Sequence, residues 1–69
     1  MSMEELRARW VELGIAIADS DLCATALIDG FRATAHELAS SREEEMVAVS
    51  CFVGAINEGR AKAALKGDD

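Results

Sequence analysis

The residues able to do chemistry are few and scattered. His36 is the single histidine, Cys23 and Cys51 are the only cysteines, and Glu43, Glu44 and Glu45 form the one run of three carboxylates. An imidazole beside carboxylates can move a proton or take one position around a metal. His36 and Glu37 with Glu44 and Glu45 make the best such constellation. It lacks a second histidine and the Glu-x-x-His spacing of helical metal sites, so a solvated histidine with ionic neighbours is the expected reading. The cysteines are separated by 27 residues. Without a Cys-x-x-Cys pair there is no zinc framework, and two thiols make at most one bridge. Ser, His and Asp occur at no spacing that suggests a nucleophilic arrangement, and there is no glycine-rich phosphate loop. The expectation is a protein that is not an enzyme, with no catalytic residue, no metal and no cofactor.

Three segments that would position these residues carry the three-to-four-residue spacing of amphipathic helices. The first covers about 2–18, with Met3, Leu6, Trp10, Leu13 and Ile17 on one face and Ala8, Val11, Ile15 and Ala18 beside them. Trp10 reads as a core anchor. Asp19, Ser20 and Asp21 are a stop and restart, because such side chains accept from the free N–H groups of a first helical turn. The second helix covers about 21–39, with Ala24, Ile28, Phe31, Ala35 and Leu38 as its core stripe, flanked by Leu27. A capping box follows in either of two registers, Ser40 with Glu43 or Ser41 with Glu44. The third helix covers about 41–66. Its acids lie at the start and Arg60, Lys62 and Lys66 at the end, as the helix dipole favours. Gly67 suits the position after the last turn, and Gly59 marks a place to bend. Residues 47–53 are rich in strand formers, but the cap before them and the Ala/Lys/Arg tail after them favour helix.

The fold class is therefore all-α, one three-helix, bundle-like domain over 1–69, with the second and third helices as an antiparallel hairpin. Facing residues in that hairpin sum to about 80 at 1.5 Å per residue, which puts His36 near Glu44 and offsets the cysteines by about 9 Å. That is too far for a bridge, so both thiols read as small, free hydrophobes.

The third helix is more apolar than a bundle requires. Met46, Val49, Val53 and Ile56 already supply one stripe, and Val47, Ala48, Cys51, Phe52 and Ala55 cover most of the rest. Gly14, Gly30 and Gly54 lie inside helices, where glycine costs about 1 kcal/mol relative to alanine and permits close approach. Two short helices cannot enclose the third, so a homodimer is expected, with Val47, Cys51, Val53, Phe52 and Ala55 at the self-association interface.

Composition bounds the partners. The 69 residues are 51% hydrophobic, with 13 acids against 7 bases and a net charge of −6. That is too apolar for a disordered chain and too acidic for binding by phosphate neutralisation. The longest near-apolar run, 46–56, is shorter than the roughly 20 residues that cross a bilayer. The start of the chain is not the basic start of a signal peptide. No direct nucleic acid and no membrane are expected, and the cytoplasm is the expected location. A larger, basic protein is the expected partner, met by Glu43, Glu44, Glu45, Glu12 and Asp29. In length and acidity alone the chain is similar to small bacterial and phage regulators such as antitoxins, anti-activators and anti-CRISPR-type inhibitors. That likeness implies a stoichiometric regulator or inhibitor. The alternatives are a structural subunit or assembly adaptor with the third helix buried, and an acid/base or metal site at His36.

Overall fold

The computed structural model describes residues 2–67, with the course of the backbone alone at 21, 22, 66 and 67. The described residues are all-helical: α1 (Met3–Ala16), α2 (Asp21–Leu38) and α3 (Arg42–Gly67), with no strand among them. Residues 47–53 are helical. Gly67 lies within α3 rather than beyond it.

Serine side chains start all three helices. The Ser2 hydroxyl accepts from the Glu5 N–H at 3.2 Å, Ser20 from Cys23 at 3.2 Å and Ser41 from Glu44 at 3.1 Å. Each satisfies a first-turn donor that the helix itself leaves without a partner. The register at the third start is thereby resolved in favour of Ser41. α1 ends two residues early because Ile17 turns out of the helix, and the Ala18 and Ser20 N–H groups close a tight turn onto Ile15 and Ile17.

α3 is the common partner of the other two helices. It meets α1 more extensively than α2, while α1 and α2 share little besides one aromatic contact. At 26 residues α3 is about 39 Å long, which accounts for most of the longest dimension of a flat 44 × 26 × 16 Å molecule. The buried side of α3 is Phe52, Ala55, Ile56 and Gly59, spaced three and four apart as one helical face requires.

This face differs from the expected stripe. Of Met46, Val49, Val53 and Ile56, only Ile56 is fully covered; Val49 and Val53 are half-buried and Met46 is 59% exposed. On α1 the buried residues are Val11 and Gly14, while Met3 and Leu13 are exposed. On α2 Ala24 is buried and Ile28, Phe31 and Ala35 are half-buried, but Leu38 is 76% exposed.

The reason for the rotation is a backbone crossing. A Cβ built on Gly59 would overlap the Val11 carbonyl oxygen and stand 2.8 Å from the Ile15 nitrogen. One built on Gly14 would overlap the Ile56 carbonyl oxygen. Only glycine fits both positions, and the helices turn toward each other there because missing side chains let dispersion contacts form along two backbones. Gly59 is thus a contact point rather than a bend. Gly30 and Gly54, by contrast, meet nothing within 4 Å.

The three aromatic residues of the chain form one cluster where the helices meet. Phe31 of α2 stacks on Phe52 of α3 at 4.0 Å between centroids and 2° between planes. Trp10 of α1 stands edge-on to both, at 5.4 and 5.1 Å. Edge-to-face contacts set the positive rim of one ring against the negative face of another.

Candidate functional site

His36, near the end of α2, meets Glu45 in the first turns of α3: Nδ1 lies 2.9 Å from Oε1. The partner is Glu45 rather than the expected Glu44, whose N–H is instead held by Ser41. The histidine side chain is 78% exposed, so the pair stands in water and is of the kind whose net strength is small. Among the described residues, no three His, Cys, Asp or Glu side chains gather closely enough to hold a metal ion. Cys23 is exposed, Cys51 is half-buried and both are free.

The carboxylates expected to meet a partner do not form one patch. Glu43 and Glu44 are exposed on the first turn of α3, with Glu45 half-buried behind them against His36. Asp29 is exposed on α2. Glu12 lines a groove of about 490 Å³ between α1 and α3, floored by Ala8, Val11 and Ile15 and edged by Glu58 and Lys62. Glu58 lies about 20 Å along α3 from Glu45, so Glu12 belongs to the opposite end of the molecule.

That groove holds an ion cluster that spacing rules along one helix do not reach. The two Arg7 guanidinium nitrogens donate to the two Glu58 oxygens, each at 3.2 Å, a bidentate pair. Lys62 approaches the same carboxylate at 4.0 Å. The hydrogen bonds and charge of Arg7 hold the Glu58 carboxyl below its ordinary range, and Glu58 in turn raises Arg7. Glu58 and Lys62 were legible as an i,i+4 pair. Arg7, 51 positions away, was not.

The residues expected at a self-association interface divide between inside and outside. Phe52 and Ala55 are buried within the chain, Phe52 against Trp10 of α1 and Phe31 of α2, Cys51 and Val53 are half-buried, and Val47 is 57% exposed. Met46, at 59%, and Leu65, at 72%, join Val47 as large exposed apolar side chains of α3. No described helix is long and apolar enough to cross a membrane.

No protein-family model matches the chain, and neither a curated protein nor a solved structure shows significant similarity to it.

Proposed function

We propose that this chain is a non-catalytic, acidic protein-interaction module. It acts stoichiometrically, as a small regulator or inhibitor that covers a surface of a larger, basic protein, and it works in the cytoplasm as a homodimer with α2 and α3 in antiparallel hairpin arrangement. The observation that carries the reading is the first turn of α3. Glu43 and Glu44 stand exposed there, on a chain of net charge −6. Such a corner steers toward a basic surface and raises the rate of encounter. A nucleic-acid-handling protein has that kind of surface. Small bacterial and phage antitoxins, anti-activators and anti-CRISPR-type inhibitors, similar to this chain in size and acidity alone, do work of this kind.

The test is capture of binding proteins from the native host by the immobilised chain and by a Glu43→Lys/Glu44→Lys/Glu45→Lys variant. A basic protein retained by the first, lost by the second and released by moderate salt is the expected result. Retention that ignores both salt and the charge reversal contradicts the reading. Exposed Met46, Val47 and Leu65 favour a second reading, an assembly adaptor whose α3 is covered by other subunits. A monodisperse homodimer at micromolar concentration argues against it.

A further inference from the structure

α2 is held less firmly than α1. At the meeting of α1 and α3, Val11 and Gly14 are buried against Ile56 and Gly59, and the two backbones interlock. Among the described side chains of α2 only Ala24 is buried, and the rest are half-buried or exposed. Gly30, the glycine of α2, meets nothing within 4 Å.

Open grooves flank α2 where it lies on α3. On one flank Thr34 and Leu38 border a cavity of about 190 Å³ with Ala48, and beside it Leu27 and Gly30 border another of about 410 Å³. On the other flank Arg32 and His36 line grooves of about 370 and 540 Å³ that share Glu45 and Met46. By helical spacing these two sets of α2 positions stand on opposite sides of Phe31 and Ala35. Water therefore reaches the seam from both sides, and a narrow row spans it. Phe31 stacks on Phe52, with Trp10 edge-on to both, and Ala35 lines the same cavity as Ala48. Beyond them stands the His36–Glu45 pair, whose exposed histidine adds little.

We infer that α2 is a lid on the α1–α3 pair: it opens as one unit while the glycine crossing stays closed, and it bares Phe52 and Trp10 to solvent. Elements with few buried contacts open below the free energy of global unfolding. An 18-residue helix that leaves its packing is marginal in water, so its amides exchange when it opens. Phe52 is 3% exposed in the closed form. The lid thus withholds aromatic surface of the kind enriched in interface cores. Its opening requires neither the acidic corner of α3 nor self-association.

Native-state hydrogen exchange of the full chain, resolved to single amides by NMR, is the test. Amides of residues 25–37 are expected to exchange as a group, about thirtyfold or more faster than those of 11–15 and 55–59 at the crossing, and with a weaker dependence on urea, since less surface is exposed. Two variants separate a lid from a generally loose fold. Gly59→Ala strains the crossing in the closed and the open form alike. It is expected to speed the crossing amides about tenfold or more and leave those of α2 within about twofold. The second variant is Cys23→Ser/Cys51→Ser/Ala35→Cys/Ala48→Cys, its two new thiols joined by a short bis-alkylating reagent across their shared cavity. Locking α2 to α3 in this way is expected to slow the α2 amides to the rate of the crossing. Equal protection of α2 and the crossing in the unaltered chain overturns the lid. So does equal acceleration of both by Gly59→Ala, or a difference between them that survives the bridge.

Discussion

Gly14 and Gly59 face each other across the crossing of α1 and α3: the place where a Gly14 Cβ would sit is 3.1 Å from the Gly59 Cα. The fold is built around this absence of side chains. Gly59→Ala would force its methyl into the Val11 carbonyl, and neither group is the flexible end of a side chain. The helices must separate, and overpacking of this kind costs about 1–3 kcal/mol, occasionally more. Gly30→Ala, in open space, is expected instead to stabilise by about 0.5–1 kcal/mol, since alanine loses less backbone freedom in a helix. Urea denaturation of the two variants at matched concentration separates these outcomes by sign.

The aromatic cluster predicts a coupled response. Phe31→Leu and Phe52→Leu each remove one ring of a stacked pair that Trp10 braces edge-on. A double-mutant cycle is expected to show coupling of about 0.5–1.5 kcal/mol beyond lost burial. Trp10 reports the transition directly through its fluorescence. Additive single effects would mean that the rings merely fill space.

The serine caps predict which hydroxyls matter. Ser20→Ala and Ser41→Ala are each expected to cost about 0.5–2 kcal/mol, because each orphans a first-turn N–H. Ser40→Ala is expected to change little, since Ser41 accepts from Glu44. Thermal unfolding followed by circular dichroism ranks the three.

The Arg7–Glu58 pair predicts a weak acid dependence. Arg7 lowers the Glu58 carboxyl in the folded chain, so the pair's contribution is present above the unfolded carboxyl's ordinary value and is lost as pH falls through the lowered, folded value. Both side chains are well exposed, so the contribution is small and screened by salt. Glu58→Gln is expected to flatten stability against pH on the acid side of that ordinary value, and only at low ionic strength. An unchanged profile would leave the pair without energetic consequence.

These features also separate what was legible in the residues from what was not. The three helices and their starts were legible because Ser20 and Ser41 announce donors that need acceptors, and because the acids and bases of α3 sort along its dipole. The meeting of His36 with the start of α3 followed from rise per residue, to within one position. The buried faces of α1 and α3 were not legible. Both helices carry apolar residues around most of their circumference, so periodicity does not choose among Val11, Leu13 and Trp10, or between Val53 and Phe52. The choice is made by Gly14 and Gly59, which contribute nothing to an apolar pattern. Arg7 and Glu58 escaped for a related reason: their pairing depends on the angle of that crossing.

The account turns on α3 being incomplete when the chain stands alone. Sedimentation equilibrium of the unaltered chain, over micromolar concentrations at physiological salt, measures this most directly. The predicted result is a mass that rises with concentration from 7.4 kDa to twice that value and goes no further, and that returns to the single-chain value in Val47→Asp. A mass of 7.4 kDa at every concentration would contradict the account.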